Sequence, residues 1–304
     1  MPARIPLPPS LAGRPFSTRE ALAAGVGRGR LASGDIRHPF RGANLPSAIE
    51  QNLRARCLAL QSRLPAHAYF CGTTAASLMS VPLPSRWERS PLVHVAVPAP
   101  HTAPRGHLIV GHRFDPRDAE WRLWHGVRVS APARAWRELA PGLPVDDLVA
   151  AGDFLIHWES PLTTVQELRE TLALSCSRRG IRALNAALPL LHDRSESAQE
   201  SKLRLILIRG RVPGLAVNLP VITTDGYGYR GDLAIPGKRV IIEYQSLLHM
   251  TPERYRADMT RRSRLEADGW FVIEVNAEDL ADPGELVSRV TRVLARREPW
   301  PGEL

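Results

Sequence analysis

The stretch from residue 215 to residue 275 limits the fold more than any other part of the chain. Residues 215–223, 227–235 and 239–245 are apolar, strand-like runs, and Asp225-Gly226 and Pro236-Gly237-Lys238 supply hairpin turns between them. Side chains alternate faces along a strand, so Glu243 and Gln245 share one face. Asp232, on the preceding strand, can be brought alongside them. Two carboxylates converging at a sheet edge make an oxygen-rich cradle for a hard divalent cation. Such a cation can activate water and stabilise the charge of a phosphodiester being cut. Val240-Ile241-Ile242 reads as buried, and a carboxylate directly after it is costly unless paired or metal-bound.

The flanks extend this unit. Residues 197–209 read as a helix with Leu203, Ile206 and Leu207 inward. Residues 252–268 read as a basic helix ended by Gly269, with Tyr255, Met259 and Leu265 as its inward stripe. Its arginines, among them Arg254, Arg256 and Arg261, then face outward, either toward phosphates or as a solvated face. Residues 270–275 form a buried strand and 283–297 a closing helix, which completes the order αβββαβα. Ser197-Ala198-Gln199-Glu200 fits a capping box, with Glu200 returning to the N–H of Ser197.

That order, with Asp232 and Glu243-Tyr244-Gln245 on the central hairpin, resembles the PD-(D/E)xK nuclease superfamily. Within it, Glu200 to Leu280 is similar to the very-short-patch-repair (Vsr-like) endonuclease-related family. The resemblance is carried by Glu200-Ser201-Lys202-Leu203-Arg204, Gly231-Asp232-Leu233-Ala234, Glu243-Tyr244-Gln245 followed by His249, Tyr255-Arg256-Ala257-Asp258, and Gly269-Trp270-Phe271-Val272-Ile273-Glu274-Val275. It implies a restriction-endonuclease-like core that holds Mg²⁺, or Mn²⁺, on Asp232 and Glu243. It also turns Glu200 toward the metal cluster, as the alternative to a capping role, and makes His249 a proton donor or acceptor. Gln245 departs from the superfamily, which usually has lysine there. An amide can hold a water by hydrogen bonds but brings no positive charge, so Arg256 or Lys238 would have to supply it.

The N-terminal part carries a second, weaker resemblance, to winged-helix antitoxin and regulator proteins of abortive-infection systems. Its basis is two short helices around Gly25, the first capped by Ser17 and Glu20, followed by the basic turn His38-Pro39-Phe40-Arg41-Gly42. Arg28, Arg30, Arg37 and Arg41 are its candidate DNA contacts; the alternative is a small helical cap with surface arginines. The whole chain thus reads as an α+β/α/β multidomain protein. A flexible arm (1–15) precedes a winged helix-turn-helix-like segment (16–47), a mixed α/β middle region (48–160) and a helical connector (161–195). The nuclease-like domain (196–304) closes it. Within the middle region, 48–64 reads as one helix and 124–129 as one strand.

Composition narrows the function classes. Formal net charge is +9, nearly all of the excess arginine, which favours a polyanion such as DNA as partner. Cys57, Cys71 and Cys176 are scattered and odd in number, which argues against a disulfide framework or zinc site. No run approaches a membrane helix, and the proline-rich start lacks an apolar signal core, so the expected location is cytoplasmic. The sequence therefore points to a metal-dependent DNA endonuclease with a DNA-binding module. The alternative is a non-catalytic DNA-binding regulator, antitoxin-like, on a degenerate nuclease fold.

Overall fold

The computed structural model describes residues 5–118, 120–174, 178–245 and 252–300, with the backbone alone at 118 and 252–255. His249, Cys176 and the Ser246-Leu247-Leu248 stretch lie outside the described residues. In chain order the elements are α1 (Pro9–Ala12), β1 (Phe16–Ser17), α2 (Thr18–Ala23), α3 (Arg28–Leu31), β2 (Ile36–Phe40), β3 (Ala43–Pro46) and α4 (Leu53–Gln61). Next come β4 (Tyr69–Phe70), α5 (Gly72–Leu78), α6 (Ser85–Glu88), β5 (Val93–Pro98), β6 (Ile109–Phe114), β7 (Trp121–Trp124), β8 (Val127–Ser130) and α7 (Pro132–Leu139). Then follow α8 (Val145–Leu155), α9 (Val165–Ala173), α10 (Ile181–Ala187), α11 (Ala198–Arg209), β9 (Ala216–Ile222), β10 (Gly228–Ile235) and β11 (Val240–Tyr244). The last elements are α12 (Pro252–Ala267), β12 (Phe271–Val275), α13 (Ala277–Ala281) and α14 (Pro283–Arg296). None of the described helices is long and apolar enough to cross a membrane.

The chain divides into two compact units, one of residues 1–143 with 166–184, the other of residues 144–165 with 185–304. The first unit contains a three-stranded sheet in the order β1-β3-β2 and a five-stranded sheet in the order β6-β5-β4-β8-β7. Ser17 and Glu20 close a complete capping box at α2, as the sequence predicts. The expected loose arm is partly anchored instead. Residues 9–12 are helical, and Leu11 is buried with Phe16, Ala21 and Leu31. The long helix expected over 48–64 starts only at Leu53, where the Asn52 side chain accepts the N–H of Ala55 as an N-cap. The single strand expected over 124–129 is a hairpin, β7 antiparallel to β8, because His125 and Gly126 turn the chain with φ of 46° and 84°.

The second unit is built on one mixed sheet in the order β12-β11-β10-β9. β9, β10 and β11 are antiparallel neighbours, while β12 returns parallel to β11 through the crossover helix α12. Alternation sorts the side chains. Leu233, Ile235, Val240, Ile242, Ile273 and Val275 form one apolar face against Leu203 and Leu207 of α11 and Leu286, Val290 and Leu294 of α14. Ala234, Ile241 and Val272 form the other, against Leu265 of α12 and Trp270. Asp232, Glu243 and Glu274 continue this second face beyond its apolar part. The packing of α11 on α8 is fixed by a buried polar knot: Asp153, 1% exposed, accepts from Ser201 Oγ, Arg204 and the His192 N–H, each at 2.7 Å.

Candidate active site

The site forms where β10 and β11 part. Their ladder ends at the pair Leu233 and Ile242, so the next step places Asp232 opposite Glu243. Gln245 sends its N–H to Val275 O on β12 at 2.7 Å, so the Tyr244 N–H points the other way, toward β10. Asp232 Oδ2 takes that N–H at 2.8 Å, and a side chain replaces a ladder bond. Gly231 makes the close approach of the strands possible, since a Cβ there would lie 2.8 Å from Ile241 Cγ2.

Burial controls the electrostatics. Glu243 is only 4% exposed. Burial pushes its pKa up to about 7; Arg261 pulls it down, and the charges of Asp232, Asp258 and Glu274 push it further up. Glu200, on the first turn of α11, is likewise raised to about 7, by burial first and then by the charge of Asp232. Asp232 is raised by burial, with the Tyr244 hydrogen bond and Arg261 opposing. The charge of Asp232 is therefore felt by both glutamates. The capping box expected of Glu200 is only half formed: Ser197 Oγ caps the Glu200 N–H at 3.1 Å, but the Glu200 carboxylate accepts the N–H of Glu196 at 2.8 Å, not that of Ser197.

Arg261 departs most from the expectation. Instead of facing outward, it forks onto Glu243, with 3.0 Å to Oε1 and 2.7 Å to Oε2, and lies 3.5 Å from Asp258. The cause is helix phase. Among the described side chains of α12 Leu265 is the buried one, and Arg261 stands one turn earlier on the same stripe, while Met259, expected inward, is 57% exposed. The signal available in the sequence was the spacing of 258, 261 and 265 together with the need of a buried Glu243 for a counter-charge. The two residues expected to supply positive charge beside Gln245 are placed differently from Arg261. Lys238 sits in the turn at the opposite end of β11 and donates to Arg297 O at 2.6 Å, and Arg256 is exposed. Gln245 lines a cleft of about 680 Å³ with Asp258, Arg262, Glu274, Asp279 and Arg289.

The other basic candidates differ in availability. Arg28 and Arg41 are exposed. Arg30 is forked onto Asp35 at 2.9 and 2.8 Å, and Arg37 donates to Ser47 O at 3.0 Å and Gln51 Oε1 at 3.3 Å, so both brace their own unit. The side chain of Arg254, like the whole of His249, lies outside the described residues.

The donor set of Asp232, Glu243 and Glu200 fits a hard divalent cation in kind. In place it does not yet converge: Arg261 holds both oxygens of Glu243, and among the described residues no three His, Cys, Asp or Glu side chains stand close enough to share an ion.

The chain is similar to uncharacterized mycobacterial proteins. The chain is 30% identical over 252 residues to the uncharacterized protein MT2308 of Mycobacterium tuberculosis strain CDC 1551 / Oshkosh, across 82% of this chain and 90% of that protein. The same figures hold for the uncharacterized protein Rv2248 of Mycobacterium tuberculosis strain ATCC 25618 / H37Rv. No family model and no solved structure matches.

Proposed function

Since the chain belongs to one family with these two mycobacterial proteins, we propose a function from its own residues: metal-dependent hydrolysis of DNA phosphodiesters by the second unit. In this reading that unit has a restriction-endonuclease-like core and the first unit carries a winged-helix DNA-binding module. The observation that supports it is the placing of half-buried Asp232 beside buried Glu243 where β10 and β11 part, with Glu200 coupled to Asp232. Acidic groups concentrated in a poorly solvated place need a cation to be ionised together. Asp232 and Glu243, with Glu200, would hold Mg²⁺ or Mn²⁺. Such an ion supplies charge neutralisation at the phosphate and eases deprotonation of water. Arg261 would exchange Glu243 for a phosphate oxygen, and so bring the cation that Gln245 lacks. Gln245 would orient water by its amide, and Glu200, with a pKa near 7, suits proton transfer at neutral pH. Exposed Arg28, Arg41 and Arg256 would meet the DNA backbone.

A second reading has its own observation. The fork of Arg261 on Glu243 neutralises the site internally, as a retained but non-catalytic scaffold in a DNA-binding regulator would. One experiment separates them. Plasmid, linear and single-stranded DNA are incubated with the protein, with and without Mg²⁺ or Mn²⁺, beside Asp232→Asn and Glu243→Gln. Metal-dependent cutting lost in both variants is the expected result. Undiminished cutting by either variant refutes the assignment, and salt-sensitive DNA binding without any cutting supports the regulator.

A further inference from the structure

β7 is an edge strand of the five-stranded sheet in the first unit. Its hairpin to β8 decides which of its backbone groups are available to another strand. The Ala131 N–H donates to Glu120 O at 3.2 Å, so Glu120 turns its backbone groups toward β8. Arg122 and Trp124, at two-residue steps, do the same, because hydrogen-bonded and non-hydrogen-bonded pairs alternate along an antiparallel ladder. The other strand has the same phase. The N–H of Arg128 points away from Leu123, its cross-strand partner, and donates to Gln61 Oε1 at 2.8 Å. The N–H and C=O groups of Trp121 and Leu123 therefore face outward, away from β8.

Open edges of this kind are normally guarded. β2 and β9, at the edges of the other two sheets, each contain a proline, Pro39 and Pro220. β7 contains none. Its side chains add apolar surface to the open backbone: Trp121 and Leu123, on one face of the strand, are 41% and 65% exposed. The charge on this edge is of both signs. Glu120 and Arg122 flank Trp121 and are exposed, and among the described residues neither side chain is hydrogen-bonded or ion-paired. A guard of one sign would repel a second copy of the chain, whereas this pair attracts one in a single register.

That register follows from symmetry. Two copies meeting edge to edge about a twofold axis run antiparallel, and only their outward-facing residues can exchange backbone hydrogen bonds. Centring the contact on Arg122 pairs Trp121 with Leu123 of the second copy but sets the two arginines directly opposite each other, which is unfavourable. Centring it on Leu123 puts each Arg122 opposite Trp124. Centring it on Trp121 lets the two Trp121 residues exchange both bonds and puts Glu120 of each copy opposite Arg122 of the other. Such charge pairs are of the closer, non-hydrogen-bonded kind, about 4.5 Å apart at Cα.

We propose that β7 pairs with β7 of a second copy of this chain in the register centred on Trp121, so that two five-stranded sheets become one continuous sheet in a twofold dimer. The contact is short, so the dimer is weak, with a dissociation constant on the order of micromolar. Sedimentation equilibrium of the full-length protein over roughly 1 to 500 µM should show monomer–dimer exchange within that range. Glu120→Arg and Arg122→Glu each turn both cross-strand pairs into like charges and should weaken the dimer by roughly tenfold or more. An equimolar mixture of these two variants has opposite charges in both pairs of the mixed dimer and should associate as the parent does. Trp121→Pro removes an outward N–H that β8 does not use, and should abolish association. Circular dichroism of each variant should stay that of the parent, since the positions are exposed and their bonds to β8 are kept. Three results overturn the proposal: a monomer throughout the range, undiminished association of Trp121→Pro, or a mixture of the two charge-reversed variants that associates no better than either alone.

Discussion

Replacing Arg261 by methionine tests the electrostatics of the carboxylate site without any assumption about catalysis. Glu243 has a folded-state pKa near 7 against 4.5 for an ordinary glutamate. A folded pKa above the unfolded one is a contribution fully present below the unfolded value and lost as pH rises to the folded one. Glu243 therefore favours folding least above pH 7, where its ionised form is held in a poorly solvated site at a cost of about 3 kcal/mol. Arg261 limits that cost, since it is the group that pulls the pKa down. Without it the pKa rises further, and Glu243 stays protonated to higher pH. At pH 8 the added cost cannot exceed that of protonating a group one unit below the ambient pH, ~1.4 kcal/mol. At pH 5.5 Glu243 is protonated in both proteins, and this difference disappears. Loss of side-chain packing at residue 261 is common to both conditions and cancels. The assay is urea unfolding of parent and Arg261→Met at pH 5.5 and 8, without divalent ions, with the slopes compared to exclude a changed denatured state. The expected result is a destabilisation larger at pH 8 by up to ~1.4 kcal/mol. Equal destabilisation at both pH values, or a greater one in acid, would refute the assignment of Arg261 as the counter-charge of Glu243.

Two further outcomes follow from the packing of the second unit. Asp153→Ala strands the buried guanidinium of Arg204 together with the Ser201 hydroxyl and the His192 N–H. It should cost about 3–5 kcal/mol, whereas Asp153→Leu combined with Arg204→Met should recover most of that loss; thermal unfolding of the two variants beside the parent measures it. Gly210 ends α11 where a Cβ would lie 2.6 Å from both methyl groups of Val287 on α14. Gly210→Ala should destabilise by roughly 1–3 kcal/mol, and adding Val287→Ala should relieve most of the loss in the same assay.

The strands of the second unit were legible because their punctuation is local. Asp225-Gly226 turns with Gly226 at φ 81°, and Pro236 to Arg239 turns with Arg239 at φ 48°, so the apolar runs between them have fixed ends and one consistent alternation. That alternation is enough to bring Asp232 and Glu243 together. It is not enough to choose among the arginines of α12, whose wheel has cations on most sides; only the buried charge of Glu243 selects Arg261. The first unit was harder for a different reason. Gly72-Thr73-Thr74 opens α5 with weak helix formers, and tertiary partners hold this end: Glu138 takes the Gly72 N–H, and Thr74 Oγ1 takes the His94 N–H. Neither bond can be read from a local window. The same holds for the unit boundary. Residues 144–165 belong with the C-terminal sheet because Asp153 ties α8 to residues 39, 48 and 51 positions later. Several of the unforeseen features share one cause, a buried charge answered by a partner distant in the chain. The candidate site belongs to the same class, since Glu243 is answered by Arg261, 18 positions on. A reading that asks first what neutralises each acid after an apolar run would have found Arg261 and turned it inward.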